Sequence, residues 1–110
     1  MKDYHFYVYL LTNYKKTVLY TGVTNDLAER ILSHFENRGK PKTFTGRYHV
    51  FYLLYYEHFQ HVDNAIAREK EIKGWTRKKK EDLIRTMNPQ FRFLNKELFE
   101  EWPPVDDNLG

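Results

Sequence analysis

Two aromatic runs separated by four polar residues set the frame of this chain. Residues 4–12, Tyr-His-Phe-Tyr-Val-Tyr-Leu-Leu-Thr, and residues 17–22, Thr-Val-Leu-Tyr-Thr-Gly, are dense in aromatic and branched side chains. Such runs read as strands. Between them lies only Asn13-Tyr14-Lys15-Lys16, so the pair is expected to form an antiparallel hairpin, with Gly22 ending the second strand. Residues 50–57, Val-Phe-Tyr-Leu-Leu-Tyr-Tyr-Glu, read as a third strand. It is apolar on both faces, which predicts a central place in the sheet.

Helices fill the rest. Leu27, Ile31 and Phe35 recur every four residues and predict a helix over 26–36, capped by Thr24 or Asn25. Residues 37–48 read as a polar loop with Gly39, Pro41 and Gly46. A second helix is predicted over 62–73 with Gly74 as its stop, and a third over 77–86, capped by Thr76 and ended before Asn88-Pro89. Residues 95–101 offer one more helical turn. The order β-β-α-β-α-α predicts an α+β domain, a small three-stranded antiparallel sheet flanked by helices.

The chain has 110 residues, enough for one domain, and no internal repeat or linker is visible. Cysteine is absent, which excludes disulfides, thiolate zinc sites and thiol catalysis. No apolar run approaches the ~20 residues of a membrane helix, and the first residues lack a signal region. A soluble, cytoplasmic protein without membrane contact is expected. Residues 1–92 carry 17 Lys/Arg against 10 Asp/Glu, whereas residues 93–110 carry one Lys against five acids. Residues 1–92 are therefore read as the working domain and 93–110 as an acidic C-terminal tail, partly helical or disordered. A basic body suits a polyanionic partner, and charge alone does not exclude an ordinary solvated surface.

One residue breaks the hydrophobic pattern. At about 100° per residue, Glu69 falls inside the arc of Val62, Ala65, Ile66 and Ile72 on the second helix. A carboxylate turned inward is costly unless it is ion-paired or binds a cation. Arg30 is the obvious partner for an ion pair. Arg30 and His34 lie one turn apart on the first helix, beside its apolar stripe. Tyr9 and Tyr20 can meet across the hairpin. Lys40, Lys42 and Arg47 lie in the polar loop, and Arg77-Lys78-Lys79-Lys80 opens the third helix, where cations oppose the macrodipole. Both sets are candidates for contacts to a phosphate backbone, which position a strand without reading its sequence.

Tyr7-Val8-Tyr9, Tyr20-Thr21-Gly22, Arg30, His34 and Glu69, in this order and spacing, resemble the GIY-YIG nuclease family. More narrowly, Ala67 to Trp75, the basic run and Asn88-Pro89 resemble its small stand-alone bacterial members, related to the incision domain of the nucleotide-excision-repair nuclease. The resemblance spans about residues 4–90. It implies a GIY-YIG nuclease-like fold and a metal-dependent endonuclease acting on DNA, in the setting of repair or recombination. DNA stands ahead of RNA as the partner. The resemblance makes Tyr9, Tyr20, Arg30 and His34 catalytic, gives Glu69 one Mg²⁺ or Mn²⁺ ion, and assigns Tyr7 and Gly22 to the motif positions. Tyr7 replaces the first motif's glycine and Thr21 the second motif's isoleucine. Val23 stands where the repair relatives have lysine, and the late asparagine of those relatives has its best match in Asn88.

Phosphodiester hydrolysis needs a base for water, charge on the phosphate and help for the leaving oxygen. Free tyrosine titrates near ~10 and needs a neighbouring cation to act as a base, whereas imidazole, near ~6.5, does not. From sequence, Tyr20 and His34 both remain open for that role. Two other readings also stand beside the nuclease: a module on the same fold that binds nucleic acid without cutting it, and a structural protein with a Glu69–Arg30 ion pair.

Overall fold

The computed structural model describes residues 4–104. β1 (Phe6–Thr12) and β2 (Leu19–Thr24) form the expected hairpin, and β3 (Tyr52–Phe59) pairs antiparallel with β1 on its other side. Asn13 closes the hairpin turn: its Oδ1 accepts from Thr17 N at 2.8 Å. The strand order is β2-β1-β3, so β1 is central and the expected central place of β3 is corrected. The physical reason lies at the outer edge of β3. The buried Asn95 side chain takes up the peptide groups there, accepting from Leu53 N at 2.8 Å and donating to Phe51 O at 3.0 Å. An edge strand covered in this way can be as apolar as a central one.

Helices lie on both faces. Alternation along β1 sends Val8 and Leu10 to one face, where they pack with Ala65, Ile72 and Ile84. Tyr9 and Leu11 point to the other and pack with Leu27, Ile31, Val50 and Leu53. The first face is covered by α3 (Val62–Lys73) and α4 (Arg77–Met87), the second by α1 (Leu27–Glu36). Registers shift between Leu10 and Leu11, so Leu54 has no partner opposite and joins Tyr55 in the first core.

Local corrections follow from hydrogen bonding. Asp26, not Thr24 or Asn25, caps α1, its side chain accepting from Glu29 N at 3.1 Å. The Thr24 hydroxyl instead accepts from Asp26 N and belongs to β2, which runs two residues past Gly22. Thr76 caps α4 as expected. The loop over 37–48 contains one turn of helix, α2 (Phe44–Arg47), capped by Thr43. A 3-10 turn, Leu94–Glu97, follows α4. Residues 93–104, at the head of the segment read as a tail, pack on the body: Leu94, Leu98, Phe99 and Trp102 all lie against the second core. The last six residues of that segment, and the first three of the chain, lie outside the described residues.

Candidate active site

The hairpin register sets the site. Tyr9 pairs with Gly22, and Leu11 with Tyr20, so Tyr9, Tyr20 and Gly22 share the face covered by α1. The end of the Tyr9 ring lies directly over Gly22. A Cβ at that glycine would overlap Tyr9 Cζ and Oη and press on Tyr20 Cε1. The glycine is needed for space, since its φ is not in the left-handed region. Tyr7 lies two residues earlier, half-buried, with its ring against Tyr56 and His58.

α1 brings His34 onto these phenols. His34 Nε2 lies 3.2 Å from the Tyr9 hydroxyl, and the Tyr20 ring meets the imidazole edge-on at 5.6 Å. The other ring nitrogen, Nδ1, lies 3.2 Å from Thr45 Oγ1. Two tautomers satisfy this chain. Tyr9 donates to Nε2 while Nδ1–H faces Thr45, or Thr45 donates to Nδ1 while Nε2–H faces Tyr9. In both, His34 is neutral. Burial first, and then the Arg30 guanidinium, lower its pKa from 6.5 to about 4. Burial first, then Tyr20, hold the Tyr9 hydroxyl well above the ordinary phenol range, with Arg30 opposing and Glu69 adding to the shift. Tyr9 is thus a protonated phenol at any physiological pH.

Glu69 arrives from α3. It is 8% exposed, and with Ala65 and Ile72 it forms the buried face of the helix. Val62 and Ile66, expected in that stripe, are exposed. The inward turn of Glu69 therefore rests on Ala65 and Ile72 alone. Its ion-pair partner is Lys73, one turn on, with Nζ 2.6 Å from Oε1, and not Arg30. Oε1 is shielded from solvent, and the Lys73 ammonium is its close partner. Glu69 holds the Lys73 ammonium above its ordinary pKa, with a smaller contribution from Tyr20. Lys73 thus sits directly beside one of the expected site residues, Glu69. Sequence reasoning missed it, although its i,i+4 spacing from Glu69 was a usable signal.

Such a carboxylate fits a hard divalent cation: it is a buried oxygen ligand whose close partner is a single ammonium. Among the described residues no cluster of three or more His, Cys, Asp or Glu forms a metal cage, so water and substrate would complete any coordination shell.

The remaining candidates divide into two groups. Arg30, His34, Lys40 and Lys42 line one cleft of about 570 Å³, together with Ser33, Asn37, Thr43 and Thr45. Arg47 turns back to donate to Pro41 O at 3.1 Å and so braces this loop. The basic run of α4 lies elsewhere. Arg77 donates to Thr17 O and Lys16 O, both at 2.8 Å, and ties α4 to the hairpin turn. Lys78 pairs with Asp82 at 3.3 Å, and Lys79 lies 4.3 Å over the Trp75 ring. Lys80 is half-buried on the same helix. Asn88 is buried and spends its amide on Leu54 O and Arg92 O. Val23, at the position of the relatives' lysine, packs against the first core.

Thr45 was invisible to sequence reading because α2 was. Gly46 makes that turn possible: a side chain there would overlap the carbonyl oxygens of Lys40 and Asn37. The tight return of the loop sets Thr45 against His34.

Comparison with known proteins adds a family and relatives. The family model of the GIY-YIG catalytic domain matches residues 5–82. The chain is 39% identical over 83 residues to a UPF0213 protein of Haloquadratum walsbyi, covering 76% of this chain and 89% of that one. It is 37% identical over 87 residues to a UPF0213 protein of Bacillus pumilus, covering 79% and 86%. Among solved structures it is similar to the NMR solution structure of a UPF0213 protein from Bacillus halodurans. There the TM-score is 0.51 and the identity 31%, covering 84% of this chain and 95% of that one. The three-stranded antiparallel sheet with its helices is the fold these matches share. Among the described residues no helix is long and apolar enough to cross a membrane.

Proposed function

The chain belongs to the GIY-YIG catalytic-domain family, a nuclease family, and from that premise we propose that it is a divalent-metal-dependent endonuclease hydrolysing phosphodiester bonds of nucleic acid, DNA in the first place. The observation that carries this reading is Glu69: a carboxylate only 8% exposed on the inner face of α3, whose close charged partner among the described residues is Lys73. A module that only binds phosphates has no use for a carboxylate beside them.

The roles divide as follows. Arg30, exposed at the cleft, contacts the scissile phosphate and offsets charge gathering on it. Tyr20 accepts the proton of the attacking water. Its hydroxyl makes no hydrogen bond within the described residues, and a phenol becomes a competent base only near a cation, the part Lys73 would play. His34 has both nitrogens engaged and holds the Tyr9 hydroxyl and the Tyr20 ring in place. Glu69 would hold one Mg²⁺ or Mn²⁺ ion, which supplies Lewis-acid charge for the leaving oxygen. Lys73 contributes a cation near Tyr20, where the relatives' lysine is replaced by Val23.

A nicking assay on supercoiled plasmid and on branched DNA, with Mg²⁺ and with chelator, tests this. Cleavage is expected with the metal, and its loss with chelator or in Glu69→Gln. Cleavage indifferent to both, or salt-sensitive binding with no cleavage on any substrate, overturns the proposal.

A further inference from the structure

The site continues outward into an aromatic row that the hydrolytic roles leave unused. Beyond Tyr20 comes Phe44, its ring nearly parallel at 6.4 Å and 23°, and then Tyr48, 4.9 Å from Phe44. Phe44 is 46% exposed and Tyr48 44%. Neither belongs to the core clusters. Both sit on or beside α2, whose backbone is pinned from within by Thr43, Gly46 and the Thr45 contact to His34. The rings are therefore held outward on a braced turn. Thr43 and Thr45, which flank Phe44, line the cleft that also holds Arg30, Lys40 and Lys42. Lys42 makes no hydrogen bond or ion pair among the described residues.

From this we infer that Phe44 and Tyr48 are a stacking platform for unpaired bases, and that the substrate enters the cleft as a single nucleic-acid strand. Flat exposed rings beside a cationic groove are what a single strand requires: cations follow the phosphates, and rings replace the stacking lost when bases leave a duplex. In a duplex the bases are turned into the helix and offer no face to Phe44. Because Phe44 neighbours Tyr20, a base resting on the platform lies next to the candidate site. This inference rests on the nuclease reading for its direction, but its test needs no cleavage.

Fluorescence anisotropy on the full chain, in chelator, with labelled oligothymidine, oligouridine and a blunt duplex of equal length is the measurement. Single strands are expected to bind more tightly than the duplex, and the two oligonucleotides show which sugar is preferred. Phe44→Ala with Tyr48→Ala should weaken single-strand binding by about tenfold or more and leave duplex binding unchanged. Phe44→Trp should retain affinity, and thermal melts of each variant verify folding. Equal affinity for duplex, an unchanged single-strand affinity in the double variant, or no binding by the wild type overturns the platform. The two readings fail separately. Platform behaviour without any Mg²⁺-dependent nicking removes the nuclease alone, and nicking with unaltered binding in the double variant removes the platform alone.

Discussion

Lys73 sets its ammonium 2.6 Å from Oε1 of Glu69, one turn further along α3. The pair places an internal cation where a divalent ion would be held, so the two compete for one carboxylate. Lys73→Met is expected to raise affinity for Mn²⁺ about fivefold, by removing a neighbouring like charge. Binding to the folded chain alone then stabilises it. Mn²⁺ should raise the melting temperature of Lys73→Met more than that of the wild type, and leave Glu69→Gln unchanged. Equal shifts in all three chains would show that the metal does not sit at Glu69.

His34 gives the fold a sensitivity to acid. Its folded pKa of about 4 lies below the ordinary 6.5. Between these values the unfolded chain binds a proton that the folded chain does not, so stability falls as pH drops through that window. Allowing for partial solvent access, the loss is about 1–2 kcal/mol. Urea midpoints from pH 7 to 4 should decline more steeply for the wild type than for His34→Gln. Parallel declines would mean that His34 takes up its proton freely in the folded state.

The two phenols should separate on substitution. Tyr20→Phe is expected to slow cleavage by about 10²–10⁴-fold, the range for a lost general base, with nucleic-acid affinity unchanged. Tyr9→Phe loses the 3.2 Å contact to His34, costing about 1 kcal/mol of stability and less activity than Tyr20→Phe. Single-turnover rates and chemical melts decide. Wild-type cleavage by Tyr20→Phe would assign the proton to another acceptor.

Gly22→Ala tests the close approach of strand and ring. The added methyl collides with Tyr9 Cζ and Oη, and overpacking of this kind costs about 1–3 kcal/mol. The displaced ring also leaves His34, so nicking should fall along with the melting temperature. A stable and fully active variant would show that Tyr9 can move aside without consequence.

Arg77 and Lys42 should give opposite signatures. Arg77 is spent on two backbone carbonyls, so Arg77→Ala is expected to destabilise the fold by about 1–3 kcal/mol and leave the salt dependence of binding unchanged. Lys42 lines the cleft, and Lys42→Ala should reduce the slope of log affinity against log salt by about one while barely altering stability. Melts and salt titrations of both variants, compared side by side, test the assignment.

Much of this architecture was legible in the amino-acid order. The hairpin, the bounds of α3, the cap of α4 and the inward turn of Glu69 follow from alternation, helical periodicity and capping chemistry. Three features were not legible, for definite reasons. β1 and β3 are equally apolar, and only pairing reveals which has a neighbour on each side. α2 is a single turn, too short to leave a periodic signature, so Thr45 and the outward set of Phe44 stayed hidden. Lys73 looked like one more surface charge, since the pattern of α3 assigns it no face until Glu69 is known to be buried. The family motif pointed to Tyr9, Tyr20, Arg30, His34 and Glu69, and the fold packs Tyr9, Tyr20 and His34 against one another. What it omitted is the second rank around them: Thr45 behind His34, Lys73 beside Glu69.

The Asn95 side chain at the rim of β3 bears on how this molecule would meet a second copy of itself. An open strand margin invites a second copy to dock by its peptide groups. Here one carboxamide occupies the groups of Phe51 and Leu53, and Leu98 and Trp102 close over the neighbouring core. The segment after α4 thus covers the start of that strand margin. Trimming the chain back to the span of its family motif would unseal that margin, and the shorter chain is expected to be the stickier one.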